Sequence, residues 1–235
     1  MTASELTLRP ATDEDASALA DLYSAARVAA VPAMPPVIHT NAEDRVWFAA
    51  RLADGEHEAW LAEESEEVLG YALFTPAWLD HLFIRPDRLG NGVGSLLLDV
   101  VKSHRPDGFC LWVFEANERA RDFYRHRGLI ELERTDGAGN EERTPDVRMA
   151  WPGADPLGFL RGLIDDVDDE LAALLSRRAA LTAAVQPLKA ATERDLDRER
   201  EIVARMAARA PELGEERLTR IVHAIITESL DAAGH

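Results

Sequence analysis

The sequence predicts an α+β domain, with a mixed, mostly antiparallel sheet and flanking helices, followed by an all-α domain of three helices that intertwines with a second copy. Three observations predict it. Through residue 151, short apolar stretches of strand length alternate with longer amphipathic ones. One strand passes through a glycine-rich turn, 89–95, directly into a helix. From residue 157 the apolar positions recur at steps of three and four for over four heptads, with no strand pattern left.

Residues 5–9 alternate, with Leu6 and Leu8 on one side, and form a first strand. Thr12, Asp13, Glu14 and Asp15 supply a cap and an acidic first turn for a helix reaching about Ala30, which Pro32, Pro35 and Pro36 terminate. Asn41 is expected to cap a second helix over 42–53, with Val46 and Phe48 inward and Asp54-Gly55 closing it. Strands follow at 57–63, 68–75 and 78–84, with a hairpin turn at Glu66-Glu67 and an interruption at Pro76.

The last of these strands enters Ile84-Arg85-Pro86-Asp87-Arg88-Leu89-Gly90-Asn91-Gly92-Val93-Gly94-Ser95 and then a helix. Glycines let a backbone turn sharply and approach a ligand, and the free amides at a helix start, with the dipole behind them, favour a phosphate. A permissive helix entry or a dinucleotide-binding turn would read similarly, but the strands before it form a hairpin meander, not a βαβ unit. A strand at 109–114, a helix at 117–124 stopped by Arg127-Gly128, a strand at 129–133, a turn at 137–140 and a strand at 147–151 complete the domain.

Trp151-Pro152-Gly153-Ala154-Asp155-Pro156 reads as a linker, giving domains 1–151 and 157–235 joined by 152–156. Asp155 caps the next helix and Pro156 fits its first turn. Helices are expected over 156–190, 194–209 and 214–232, with Thr192 and Asp195 in a capping pattern and 211–214 as a break. The seam of the first helix is Leu157, Leu160, Ile164, Val167, Leu171, Leu174, Arg178, Leu181, Val185 and Leu188. Arg178 occupies a leucine's place, where an unpaired cation is costly, so an anion is expected to meet it.

Lys189 lies eleven residues on, about 1100° around and about 16 Å along the helix, on roughly the same side. Arg161, seventeen residues before Arg178, is about 25 Å away and cannot reach the same anion. Two antiparallel copies crossing near residue 172 bring Arg161 of one between Arg178 and Lys189 of the other, which gives a two-fold dimer with a shared anion site. An ordinary coiled coil with solvated arginines is the competing reading. Pro187 is expected to kink the helix just before Lys189.

The chain has 235 residues and a net charge of −17, which argues against nucleic-acid or anionic-membrane binding. A single cysteine, Cys110, excludes an intrachain disulfide and is expected to pack in the core of a protein kept in a reducing compartment. No apolar run approaches membrane-spanning length and no secretory leader is evident, so a cytoplasmic protein is expected.

Two resemblances sharpen this. Pro-x-x-x-Gly-x-Gly-x-Gly, followed by Asn-x-x-Ala-x-x-Phe-Tyr-x-x-x-Gly-Leu, resembles the GCN5-related N-acetyltransferases (GNAT) over residues 1–151. The resemblance implies that acetyl-CoA, as co-substrate, lies against Ile84, Leu89, Gly90, Asn91, Gly92, Val93, Gly94, Ser95 and Asn117, and that Tyr124 protonates the leaving sulfur. Leu89 departs from the family's usual Arg or Gln, at little cost where backbone amides hold the pyrophosphate. Tyr124 has an alternative as a half-buried aromatic beside Phe123. Asp80, His81 and Glu115 are candidates to deprotonate an amine acceptor of unknown identity, with ordinary hairpin polarity as the alternative.

The second resemblance covers about 157–233. Leu160-Arg161, Val167-Asp168, Leu171 with Leu174-Leu175, Arg178, Val185, Lys189, Arg194-Asp195-Leu196-Asp197-Arg198-Glu199, and Ile225-Ile226 with Glu228-Ser229 resemble the all-helical (AroQ-type, type II) chorismate mutases. It implies a homodimer that isomerises chorismate, a dicarboxylate, to prephenate without cofactor or metal. Arg178 and the other copy's Arg161 would bind the carboxylates and Lys189 the ether oxygen. Glu199 and Arg198 would meet the ring hydroxyl, with Asp195 and Ser229 along the wall. Glu199 faces the side of Leu196, Ile202, Val203 and Met206, so its carboxylate needs a partner, and an internal pair with Arg198 or Arg178 is the alternative. Asp195 and Arg198 also read as a surface pair.

Ala233 stands where the family places a Gln or Glu that helps the ether oxygen. His235, a side chain from elsewhere or an accessory protein would have to compensate, and this position favours the first of two alternatives. The helical domain is then either a non-catalytic dimerisation and ligand-sensing module controlling acetyl transfer, or it acts on isochorismate or an aminochorismate.

Overall fold

Seven strands form between residues 7 and 151 in the computed structural model, which describes residues 6–188 and 195–232. The chain divides into two units, Met1–Leu160 and Arg161–His235. In the first, β1 (Thr7–Pro10), α1 (Ala16–Ala29), α2 (Asn41–Ala53), β2 (Glu58–Glu64), β3 (Glu67–Phe74) and β4 (Leu79–Ile84) lead into α3 (Val93–His104), β5 (Phe109–Phe114), α4 (Glu118–Arg125), β6 (Ile130–Thr135) and β7 (Asp146–Trp151). The strands β1-β2-β3-β4 form one antiparallel sheet and β5-β7-β6 another.

The two sheets touch at one parallel bridge, Trp78 to Cys110, where the Cys110 N–H donates to Ala77 O at 2.9 Å. Beyond that bridge β4 and β5 share no ladder among the described residues, and a cavity opens between them. β3 is buried on both faces. Tyr71 and Leu73 pack with Leu19, Ala20 and Phe48 under α1 and α2, whereas Ala72 and Phe74 pack with Leu97, Leu98 and Val101 of α3. This double burial accounts for its nearly continuous apolar run. Cys110 is buried, as expected, with its sulfur 3.4 Å from an Arg148 Nη2 donor.

Three local expectations are corrected. Val46 is 71% exposed while Phe48 is buried, because positions two apart on a helix face nearly opposite sides. The cap of α2 is Thr40, whose hydroxyl accepts from the Glu43 N–H, and Asn41 is the first helical residue, bonding to Asp21 and Ser24 instead. The β2–β3 turn is Ser65-Glu66, both with positive φ as a two-residue hairpin of this twist requires, and Glu67 already belongs to β3.

The second unit is helical: most of α5 (Pro156–Val185), then α6 (Leu196–Arg209) and α7 (Glu215–Ala232). The Asp155 carboxylate accepts from the Gly158 N–H at the start of α5. Pro187 ends the α-helical part of α5, and Gln186–Leu188 is a 3-10 turn, as the missing donor dictates. Asp195 caps α6 by accepting from the Arg198 N–H. α6 and α7 pack through Val203, Leu218 and Val222, with Ile202, Met206 and Ile226 around them. In the single chain Ile164, Val167, Leu171, Leu174, Leu181 and Val185 are 47–60% exposed, an apolar stripe without cover. No described helix is long and apolar enough to cross a membrane.

Candidate functional site

The turn between β4 and α3 is built by glycine conformations. Gly90 and Gly92 have φ of +86° and +87°, and a Cβ added at either would meet nothing within 4 Å. The backbone thus presents itself to open space. Gly92 caps α3, and its carbonyl accepts from the Ser95 and Leu96 N–H groups, so the amides before them stand at the positive end of the helix. Gly94 packs on Phe123, 3.4 Å from a built Cβ, which holds α3 close to α4.

The cavity beside this turn measures about 1090 Å³. Ile84, Leu89, Gly90, Gly92, Gly94, Ser95 and Asn117 line it at one end, and Tyr124 forms part of its wall. Asn91 and Val93 do not line it; Val93 is turned into the core. Asn117 caps α4 by accepting from the Ala120 N–H. Tyr124 lies against the edge of Phe123, and burial pushes its phenol well above the ordinary value.

Toward the other end stand residues 79–83 of β4, Trp112, Phe114, Tyr23, Arg27, Glu142 and Asp146. Asp80 sits at a bulge: Leu73 pairs with His81 and Phe74 with Leu79, so Asp80 has no partner across the ladder. Desolvation raises its carboxyl above the ordinary value, which makes it a stronger base than a surface aspartate. The His81 ring stacks on Tyr23 and Trp47, and burial lowers its pKa to about 3. It is neutral and a poor base at pH 7. Glu115 is bound by Arg134 at 2.7 Å and does not line the cavity.

Two features here went unread in the sequence. Arg127 donates to Ser95 Oγ (Nε at 3.1 Å), lies 3.9 Å over the Phe123 ring, and lines the cavity beside the glycine turn. Arg27, buried, donates to the Tyr23 hydroxyl at 2.8 Å and to Glu142 at 3.0 Å. A signal for Arg27 existed: Leu19, Tyr23 and Arg27 recur at four-residue steps, placing a cation on the inner face of α1.

In the helical unit the structure brings Arg178 and Ser229 together. Arg178 Nη1 donates to Ser229 Oγ at 2.6 Å and to Ile225 O at 3.3 Å, and the buried serine donates on to Ile225 O. Asp195 is occupied as a cap, and Arg198 pairs with Glu201 at 2.9 Å on the surface. Glu199 is half-buried and has a partner. Arg161 is exposed on α5. Lys189, Ala233 and His235 lie outside the described residues.

Known proteins resemble both units. Residues 19–129 match the acetyltransferase (GNAT) family model. The peptidyl-lysine N-acetyltransferase YjaB of Escherichia coli is 32% identical over 100 residues, covering 42% of this chain and 67% of the relative. Its Salmonella typhimurium counterpart is 35% identical over 98 residues, covering 41% and 67%.

The chain belongs to the GNAT acetyltransferase family.

The solution structure of apo YjaB from E. coli agrees with the GNAT fold seen here: TM-score 0.52 and 25% identity, covering 64% of this chain and 99% of that one. A GNAT crystal structure from Rhodopseudomonas palustris shares the fold with a TM-score of 0.53 at 24% identity, covering 65% and 98%. GNAT enzymes generally use acetyl-CoA, and the glycine turn, its open front and the adjoining cavity fit such a co-substrate. Residues 160–233 match a second family model, chorismate mutase type II. This GNAT protein therefore carries two enzyme domains in one chain.

Proposed function

We propose that the protein is a bifunctional enzyme, with an acetyl-CoA-dependent N-acetyltransferase at 1–151, a linker at 152–156 and a homodimeric chorismate mutase at 157–235 serving aromatic amino-acid biosynthesis in the cytoplasm. The observation that carries the first activity is the cavity itself, which runs from the glycine turn past Tyr124 to Asp80. The pyrophosphate of acetyl-CoA rests on the free amides of the turn ahead of Ser95, with Arg127 beside them. An amine acceptor enters from the Asp80 end. Asp80 takes its proton, and the amine attacks the thioester carbon. The C–N bond forms, the C–S bond breaks, the Tyr124 hydroxyl donates to the departing sulfur, and the phenolate recovers its proton from the nitrogen as that becomes the amide. Its raised pKa makes it a hydrogen-bond donor that keeps its proton until the thiolate develops.

The relatives named peptidyl-lysine N-acetyltransferase make a lysine-type primary amine the first acceptor to try. Acetyl-CoA consumption with a lysine-bearing peptide tests this reading. Tyr124→Phe is expected to lower kcat roughly 10²-fold with acetyl-CoA binding intact, and an unchanged kcat would remove Tyr124 from the mechanism.

For the mutase, the Arg178–Ser229 contact supports the reading. It fixes one edge of the guanidinium and leaves the Nε and Nη2 edge, among the described residues, as a fork for a carboxylate. Arg161 of a second copy meets the other carboxylate and Lys189 the ether oxygen. Arg198 and Glu199 act at the ring hydroxyl, with Asp195 and Ser229 along the wall. The uncovered stripe on α5 supports the homodimer, since a second copy would bury it. Loss of chorismate above the spontaneous rate tests catalysis. Its absence would favour a ligand-sensing dimer, the reading motivated by Ala233, unless an accessory protein restores turnover. Isochorismate and aminochorismate in the same assay define the acid used.

A further inference from the structure

Asp80 is not an isolated carboxylate. Behind it, Nε2 of His57 lies 3.6 Å from Asp80 Oδ2, and Nδ1 of the same ring lies 2.8 Å from Asp54 Oδ2. The three side chains form a line from the cavity wall to the surface. The His57 side chain is 11% exposed, that of Asp80 33% and that of Asp54 23%. Asp54 is held in place by the exit of α2: its Oδ1 accepts from the N–H groups of Glu56 and His57, at 2.8 and 3.0 Å. These bonds keep its carboxyl down at about 2, so it stays an anion that accepts from the imidazole Nδ1–H. With Nδ1 committed as a donor, Nε2 presents its lone pair to Asp80. The neighbouring charged and titratable groups do not break the line. Arg51 of α2 is 3.5 Å from Asp54 Oδ2, and Glu58 is turned away to Arg105 and His104. His81 is engaged with the Tyr71 hydroxyl at 3.1 Å.

We propose that His57 and Asp54 form a proton relay that discharges Asp80 during acetyl transfer. The proposal rests on the acetyltransferase reading and adds two residues to it. Transfer from acetyl-CoA to an ammonium yields amide, thiol and one proton, and that proton has to leave a cavity filled by two substrates. The ammonium gives it to the Asp80 carboxylate, and the neutral amine attacks. Asp80 passes the proton to His57 Nε2. The Nδ1 proton moves to Asp54, which releases it to water, and the ring is left as its Nε2–H tautomer. Once the products leave, water takes the Nε2 proton and Asp54 returns one from water to Nδ1, which restores the starting tautomer. Each step breaks one bond to hydrogen and forms one. His57 and Asp54 touch neither substrate, so they are positioning and relay residues rather than catalytic ones.

The test uses the full-length protein, acetyl-CoA and a lysine-bearing peptide as acceptor probe, across pH. Wild-type turnover is measured first; if no amine probe is acetylated, the acetyltransferase reading itself has failed. Given turnover, His57→Gln is expected to lower kcat about tenfold and leave the KM for acetyl-CoA unchanged, with added imidazole restoring part of the rate. Asp54→Asn is expected to show a smaller loss of the same kind. Unchanged kcat in His57→Gln, or a loss that imidazole does not touch, overturns the relay. Should His57→Gln not fold, ring-nitrogen NMR of the wild-type protein decides. The His57 ring is expected in the Nδ1–H form, with its Nε2 resonance shifted in Asp80→Asn; a ring in the Nε2–H form, or one that this substitution leaves untouched, overturns the proposal.

Discussion

Arg161→Ala and Arg178→Ala, each inactive alone, are expected to restore chorismate turnover when mixed. Both residues lie on α5, which is unbroken from Pro156 to Val185. Seventeen residues at about 1.5 Å each separate them by about 25 Å, so one small dicarboxylate cannot touch both in one chain. In a two-fold dimer each site takes Arg178 from one chain and Arg161 from the other. Every site in either parent variant lacks one guanidinium, and losing a charge-assisted carboxylate clamp costs about 3–4 kcal/mol, roughly 10²- to 10³-fold in rate. After complete subunit exchange at equal amounts, about half the dimers are hybrids. In each hybrid one site has both arginines and the other has neither, so turnover recovers to about a quarter of wild type. The assay is loss of chorismate absorbance after exchange, with a mass-tagged subunit reporting that exchange occurred. Turnover that stays at the floor of the single variants, with hybrids present, refutes the shared site.

Three further outcomes are expected. Leu174→Asp uncovers the α5 stripe in both copies. Burial of a 60%-exposed leucine is worth about 1 kcal/mol per copy, so the dimer dissociation constant should rise at least roughly 30-fold by sedimentation, and unchanged self-association would place the interface elsewhere. Gly92→Ala puts a Cβ on a residue at φ +87°, costing roughly 1–2 kcal/mol, and calorimetry should show weaker acetyl-CoA binding. Asp15, hydrogen-bonded by Arg9 at 2.8 Å, has its carboxyl lowered from 3.8 to about 2. A depressed folded pKa means that the stabilisation is present above about pH 4 and lost as pH falls through about 2. Discounted for the partly exposed Arg9, it amounts to about 1–2 kcal/mol. Thermal melts of Asp15→Asn should therefore differ from wild type at pH 6 and converge toward pH 2.

What could be read in the residues follows the range of the forces involved. The glycine turn was legible because positive φ at Gly90 and Gly92 is a property of single residues. The α5 stripe was legible because helical period depends only on backbone geometry, and Arg178 stood out as a cation in a leucine's place. The inward assignment of Val46 failed because it ignored that same period.

The composition of the sites was decided by the tertiary structure. Arg178 finds Ser229 across 51 residues, and Arg27 finds Glu142 across 115. Asp80 meets His57 only because a bulge in β4 takes it out of the ladder beside the exit of α2. No spacing encodes such meetings, since they depend on strand register and on which helix face closes over which sheet. The sequence alone determined most of the elements and the two family likenesses, all carried by neighbours along the chain. Which polar groups lost their water and found one another was settled by packing, because burial and pairing belong to the folded surface and not to the order of residues.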